Sequence, residues 1–165
     1  MVGSTMPLDR PRLAPATDAT IKWIRHAGVL AALGLAAWAV VAYFSLPLVI
    51  PVHFGISGQP DAYGHRSSVL WLALVFVVLA VGIAVMSRHP RLFNYPVPVT
   101  DENASRLYRE GERMLVWLLV PLQLIFFAVL QAVLLNGAVT WLLWVGLAAL
   151  LVVIFASIVR MSRAA

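Results

Sequence analysis

The sequence contains no cysteine and very little charge. The lack of cysteine excludes disulfide bonds, iron–sulfur clusters, thiolate metal sites and cysteine nucleophiles. Asp, Glu, Lys and Arg together make up only 12% of the 165 residues, whereas about a quarter is usual for a soluble domain. Hydrophobic residues make up 62%. A small globule could not keep so much apolar surface away from water, so we predict an integral membrane protein.

Ionisable residues are also absent from the long apolar segments. Four segments reach the length of about 20 residues that one membrane crossing needs. The predicted spans are residues 27–47, 67–87, 114–135 and 138–159. The last two share one uncharged run that would be about 69 Å long as a single helix, so we expect it to fold back at Asn136-Gly137. Because proton relays and many ion-coupled carriers need ionisable groups inside the membrane, their absence argues against a pump.

Lys and Arg are distributed very unequally along the chain. Eleven of the twelve lie before the first span, between the second and third, or after the fourth, and only Arg66 lies in the loop at residues 47–66. The positive-inside rule therefore predicts that both termini lie in the cytoplasm and that this loop lies outside. The first apolar run, about 26 residues, is too long for the hydrophobic region of a signal peptide, so we expect it to remain as a span.

The predicted cytoplasmic segments differ in character. Residues 1–20 lack apolar periodicity and are predicted to form a disordered tail, and residues 21–165 a single membrane domain. Before the third span, the helical spacing of apolar residues predicts an amphipathic helix that runs into that span. Its Arg106, Arg109 and Arg113 are candidates for contact with anionic lipid head groups or a protein partner. No soluble basic surface is long enough for nucleic acid, so no nucleic-acid partner is predicted.

Few polar or small residues interrupt the spans. Gln123 and Gln131 lie in the third span, where interhelical hydrogen bonding is the expected role and a part in transport is the alternative. Small residues recur at every fourth position, as at Gly28 and Ala32 in the first span and at Ala80 and Ala84 in the second. Such ridges allow close helix packing within one chain, with homo-oligomerisation as a further use.

The loop at residues 47–66 holds most of the chemical information in the chain. It contains three of the ten prolines, three of the ten glycines and two of the four histidines. Pro47 and Pro51 predict an extended exit from the first helix, and Gln59-Pro60-Asp61 predicts a turn before the second. We therefore expect a compact, structured loop.

This loop resembles a known membrane domain. The stretch LPLVIPVHFGISGQPDAYGHR is similar to the signature of bacterial domain of unknown function 1648, the N-terminal domain of SdpI-type toxin-immunity proteins. The residues that carry the resemblance are Pro51, His53, Phe54, Gly58, Asp61, Tyr63, Gly64 and Arg66. The resemblance extends over about residues 30–120 and implies a short, four-helix, all-α protein of the bacterial inner membrane that is related to the immunity proteins.

Several functions remain open for such a protein. The loop can be a packed structural element, a recognition surface for a peptide, lipid or cell-wall fragment, or a zinc site formed by His53, Asp61 and His65. No cofactor is predicted. The preferred hypothesis is a non-enzymatic inner-membrane protein with a recognition, signalling or immunity-like role. The alternatives are a small oligomeric channel or transporter subunit and, third, a metal-dependent membrane enzyme.

Overall fold

Four long helices and one β-hairpin make up the fold. The computed structural model describes residues 10–13 and 17–163. The elements, in chain order, are α1 Ala19–Tyr43, β1 Val49–Phe54, β2 Pro60–His65, α2 Ser68–Met86, α3 Ala104–Leu134 and α4 Trp141–Ser162, with a 3₁₀ turn at Pro90–Leu92 between α2 and α3. All four helices are long and apolar enough to cross a membrane. The prediction of an all-α, four-span membrane protein is thus confirmed.

The helix α3 lies at the centre of the bundle, where it packs against each of the other three. Small side chains allow this packing. A Cβ at Gly28 of α1 would lie only 2.7 Å from the Cβ of Leu119, and one at Gly146 of α4 would lie 2.8 Å from Cγ1 of Ile125. Ala32 of α1 and Ala80 of α2 are fully buried. The predicted ridges of small residues therefore serve packing within the chain.

The turn between α3 and α4 lies where the sequence predicts it. Asn136 adopts a left-handed conformation with φ of 49°. The Gly137 N–H donates to the Ala132 carbonyl at 3.0 Å, and the Asn136 N–H donates to the Val133 carbonyl at 3.3 Å. This pair of bonds is the Schellman motif, which satisfies the last carbonyls of a helix.

The bundle has two chemically different ends. The hairpin end carries the β-hairpin and the Asn136 turn, which are joined by a hydrogen bond from the Val139 N–H to the Gly58 carbonyl. The arginine end carries the start of α1, the connection from α2 to α3, and the last turn of α4. The predicted amphipathic helix is confirmed as the first part of α3, which runs into the span without a break.

The start of the chain differs from the disordered tail predicted for residues 1–20. Residues 1–9 and 14–16 lie outside the described residues, but Arg10 is buried and α1 already begins at Ala19. Arg10 donates to the carbonyls of Arg91 and Phe93 at 3.0 and 2.6 Å. Tyr108 donates to the Pro11 carbonyl at 3.1 Å. Hydrogen bonds from side chains to the backbone do not require apolar residues at regular spacing. The sequence of this segment therefore did not reveal them.

Candidate functional site

The loop at residues 47–66 forms an antiparallel β-hairpin. The register pairs Val49 with His65 at the base and Phe54 with Pro60 near the tip, with an irregularity on either side of His53. The tip closes through two backbone bonds, from the Gly55 N–H to the Gln59 carbonyl at 2.9 Å and from the Gly58 N–H to the Gly55 carbonyl at 2.8 Å. The sequence indicated extended chain and turns, but it did not predict that the two halves pair as strands.

The inner side of the hairpin is buried in the bundle. Ile50 and Pro51 are almost fully buried, and Ile50 joins a core cluster with Val69 of α2 and Phe126 of α3. Phe54 packs against the same cluster. An open apolar groove of about 300 Å³ remains between β1, α2 and α3, lined by residues such as Phe54 and Trp71. The hairpin is therefore a rigid part of the fold.

Glycines at the hairpin allow close contact with its neighbours. Gly58 has φ of +80°, and a Cβ there would lie 3.0 Å from Cγ2 of Val139 in the α3–α4 turn. A Cβ at Gly64 would lie 3.0 Å from Cγ1 of Val52 on the paired strand. A side chain at Gly58 would be strained by both its backbone conformation and this contact. The signature glycines thus hold the hairpin against the bundle and the two strands against each other.

Arg66 joins the base of the hairpin to the end of α1. Its Nη1 donates to the Leu46 carbonyl at 3.3 Å, and its guanidinium carbon lies 4.9 Å from the ring centroid of Tyr43. Its backbone N–H donates to the Leu48 carbonyl at 2.9 Å. Pro47 lies within this corner and ends the helical region, since the residue before a proline disfavours helix. Arg66 therefore has a structural role at this end.

The outer side of the hairpin carries a histidine–carboxylate pair. His53 Nδ1 lies 2.5 Å from Asp61 Oδ1, and the two side chains are 70% and 51% exposed. When Nδ1 donates to the carboxylate, Nε2 of the neutral imidazole is an acceptor. Tyr63 lies two residues after Asp61 and is also exposed, at 58%. These exposed groups contribute little to the core and are available to a partner.

His65 does not join this pair, so the three candidate zinc ligands do not come together. His65 Nδ1 instead accepts from Ser67, with distances of 2.9 Å to the hydroxyl and 3.2 Å to the backbone nitrogen. It pairs with Val49 at the base of the ladder, four residues and about 13 Å along the strand from Asp61. Over residues 10–13 and 17–163, no three His, Cys, Asp or Glu side chains come close enough to hold a metal.

The arginine end contains a buried ion pair that the sequence did not reveal. Arg25 of α1 and Glu112 of α3 form a salt bridge, and both residues are almost fully buried. The Thr17 hydroxyl also lies 2.8 and 3.0 Å from the two oxygens of Glu112. One signal was present: Glu112 follows Tyr108 by four residues, so it lies on the apolar face of the helix. A carboxylate in that position implies a buried cationic partner.

A cluster of arginines lines a second cavity at this end. We call it the arginine basin. It has a volume of about 360 Å³ and is lined by Arg106, Arg109, Glu110, Arg113, Arg160 and Arg163. Glu110 lies 3.2 Å from Arg113 and 3.4 Å from Arg160, and thus links α3 to α4. The three predicted contact arginines of α3 do come together, and α4 adds two that sequence spacing could not connect with them.

Tyr95 lies between Arg10 near the start of the chain and Tyr108 of α3. Its hydroxyl donates to the Pro90 carbonyl at 2.7 Å, and the Arg10 guanidinium lies 5.7 Å from its ring centroid. Burial raises the pKa of Tyr95 well above the usual value for tyrosine; Tyr108 adds to this increase and Arg10 opposes it. The phenol therefore stays protonated and acts as a donor.

The two glutamines of the third predicted span lie within α3. Both are partly buried. The two amide atoms of Gln123 and Oε1 of Gln131 are buried without a hydrogen-bond partner among the described residues. The predicted interhelical bonds are therefore not made by these atoms within one copy of the chain.

Comparison with known families gives a match at residues 29–78 to a domain of unknown function, DUF1648. Fifty of the 165 residues lie in this match. The match covers most of α1, the whole hairpin and the first part of α2, and so is narrower than the resemblance over residues 30–120. It places the entire hairpin inside DUF1648.

The chain is similar to a curated archaeal protein. An uncharacterized protein of Archaeoglobus fulgidus is 29% identical over 91 residues, which cover 50% of this chain and 49% of that protein. The chain thus spans about half the length of the curated relative that it matches. No solved structure matches the chain.

Proposed function

We propose that the protein is a non-enzymatic recognition protein of the bacterial inner membrane that binds an extended peptide along the free edge of β2. The observation that supports this most directly is the position of β2. The sheet has only two strands among the described residues, and β1 packs against α3, whereas the main neighbour of β2 is β1. One edge of β2 therefore has no strand partner.

An unpaired strand edge is a template for another extended chain. Its backbone N–H and C=O groups can form a ladder with an incoming peptide, and neighbouring side chains then select the sequence. Asp61, Ala62, Tyr63 and His65 of β2 are all exposed. Ile56 at the hairpin tip is 93% exposed. The DUF1648 hairpin thus offers a backbone ladder, an apolar tip and the His53–Asp61 pair on one rigid element.

Peptides with blocked backbones test this mode of binding. The full chain in nanodiscs is titrated with a panel of short membrane-active peptides, each paired with a copy in which alternate backbone amides are N-methylated. We expect at least one peptide to bind. Its methylated copy should bind with an affinity at least about tenfold lower. Equal binding of both copies would contradict edge recognition. Tyr63→Ala should weaken binding, with Ser57→Ala as the matched control at the tip.

An immunity-like role is the specific form of this proposal. It rests on the resemblance of the hairpin motif to SdpI-type proteins, and on a hairpin end that would meet a toxic peptide before the bundle does. Cells that produce the chain should resist one member of the same panel, and cells with Tyr63→Ala should lose that resistance. Unchanged sensitivity to the peptide that binds best would argue for recognition without immunity.

The orientation is part of the proposal and has a direct test. The hairpin end is proposed to face outward, because eleven of the twelve Lys and Arg residues lie at or beside the other end. The chain has no cysteine, so single cysteines report their own location. In intact cells, Ser57→Cys at the tip should react with an impermeant maleimide, and Ser105→Cys at the start of α3 should not. Both serines are exposed, so the reverse pattern would invert the topology.

The unpartnered glutamines favour a second candidate, an oligomeric channel or transporter subunit. Unsatisfied amides inside a membrane bundle are costly, and water in a conduction path would satisfy them. If this candidate is correct, liposomes that contain the protein should show an ion or solute flux that Gln123→Leu abolishes. The absence of flux in such liposomes would leave recognition as the better explanation of the fold.

A further inference from the structure

We propose that the arginine basin is a binding site for the phosphate group of an anionic phospholipid. The site is formed jointly by the first turns of α3 and the last turn of α4. It does not depend on the peptide recognition proposed for the hairpin, since it lies at the opposite end of the bundle.

The basin concentrates positive charge from two helices in one cavity. Arg106, Arg109 and Arg113 lie on one side of α3, at spacings of three and four residues, and Arg160 and Arg163 are three residues apart on α4. Met161 lies between the two α4 arginines and is buried against Leu107 and Tyr108 of α3. This apolar contact holds the end of α4 in place, so the five guanidiniums share one cavity.

Internal ion pairs compensate only part of this charge. Glu110 pairs with Arg113 and Arg160, and Asp18 lies 2.6 Å from Arg113. Among residues 10–13 and 17–163, neither Arg109 nor Arg163 has a carboxylate within salt-bridge distance. One guanidinium group can donate two parallel hydrogen bonds to two oxygens of a phosphate. Phosphate is therefore the anion that this set of arginines fits best.

The position of the basin favours a lipid as the source of that phosphate. Arg113 and Arg160 are the charged residues that border the uncharged run from Met114 to Val159, so the basin lies where the apolar spans end. The same side of α3 continues into the membrane with Trp117 and Val120, four and seven residues after Arg113, and both are exposed. A lipid with its phosphate in the basin would place an acyl chain along these two side chains. A basic pocket between helices at this level is a typical head-group site.

Native mass spectrometry of the full chain in detergent micelles tests the proposal. The probes are phosphatidylglycerol, which is anionic, and phosphatidylcholine, which carries the same phosphate beside a compensating cation. Phosphatidylglycerol should bind with clear preference, and millimolar inorganic phosphate should not displace it. Equal binding of the two lipids would overturn the proposal. Displacement by inorganic phosphate would also overturn it, in favour of a site for free phosphate.

Substitutions locate the site. Arg109→Gln with Arg163→Gln should weaken phosphatidylglycerol binding about 25-fold, since each arginine near a head group accounts for about fivefold. Arg88→Gln, an exposed arginine at the same end but outside the basin, is the matched control and should change little. Equal effects of the double variant and the control would overturn the assignment. Arg109→Lys with Arg163→Lys keeps the charge and should retain preference for the anionic lipid with reduced affinity.

Discussion

The two ends of the bundle are held by different kinds of interaction. At the hairpin end, the contacts are mostly local: a backbone ladder between residues 49 and 65, closed by glycines and packed on an apolar core. At the arginine end, buried side chains join segments that are far apart in sequence. Arg25 and Glu112 are 87 residues apart, and Tyr108 and Pro11 are 97 apart. The hairpin end is thus stabilised mainly by its backbone ladder, and the arginine end by a few specific side chains.

At each end, the groups that stabilise the fold are different from the groups that are exposed to a partner. The hairpin keeps its polar pair on the exposed side, where it adds little to stability. The arginine end has two layers of charge: a buried pair that holds α1 to α3, and an exposed basin that remains electropositive. Substitutions in the buried pair should therefore affect folding, and substitutions in the exposed groups should affect binding. The substitutions can be ordered by the size of their effect on stability.

The largest effect is expected for the buried pair. Glu112→Ala leaves the Arg25 guanidinium buried without its carboxylate, which should lower the free energy of unfolding by about 3–5 kcal/mol. Thermal unfolding in micelles, followed by tryptophan fluorescence, measures the change. Glu102→Ala removes an exposed carboxylate near the same end and should leave the unfolding temperature almost unchanged.

The double variant Arg25→Met with Glu112→Met sharpens this prediction. It removes both charges and keeps most of the side-chain volume, so it should recover most of the stability lost in Glu112→Ala. If the double variant is as unstable as the single one, the loss comes from packing, and the charge pair is not what distinguishes the arginine end.

The next effect is expected at the hairpin tip. Gly58→Ala forces a side chain into the left-handed region and against Val139, at a cost of about 1–3 kcal/mol. The loss should be local: the Val139 amide, which donates to Gly58, should exchange its hydrogen faster, whereas the amides around Arg25 should not change. Gly34→Ala is the control, because nothing lies within 4 Å of a Cβ there. Faster exchange at both ends would show that they are not independent.

The sequence predicted the parts of the fold that depend on hydropathy and local turns. The lengths of the apolar runs indicate four spans, and Asn136-Gly137 indicates the turn between the last two, because a left-handed residue is needed there. The ridge of small residues at Gly28 and Ala32 follows from the same periodicity. These features are local or periodic, and so can be read from one sequence.

The features that the sequence did not predict are pairings between distant residues. The hairpin was indicated only as an ordered loop, because prolines and an irregular register obscure the alternation typical of strands. The first apolar run begins at residue 27, but α1 begins eight residues earlier, at Ala19, and so includes Lys22 and Arg25. Arg25 is accommodated by Glu112, which is 87 residues away. Arg160 likewise meets Arg113 only because the bundle brings Glu110 between them.

A smaller effect is expected for the one arginine of the hairpin end. Arg66→Gln removes the cation over Tyr43 and weakens the bond to the Leu46 carbonyl, which should cost about 1–2 kcal/mol. Arg66→Lys keeps the cation near the ring and should lose only part of this. Unfolding in micelles measures both variants. Equal losses would show that the planar guanidinium, rather than its charge, holds the corner.

The smallest effect on stability is expected for the exposed pair. Asp61→Asn should change the free energy of unfolding by less than about 1 kcal/mol, because ion pairs exposed to solvent contribute little. The amide can no longer fix the His53 proton on Nδ1 as strongly, so the outward Nε2 loses its defined role as an acceptor. Peptide binding at the hairpin should therefore weaken in a protein of unchanged stability. If Asp61→Asn binds peptide normally, recognition depends on the β2 backbone and Tyr63 alone. If it is strongly destabilised, His53 and Asp61 have the same structural role that Arg25 and Glu112 have at the other end.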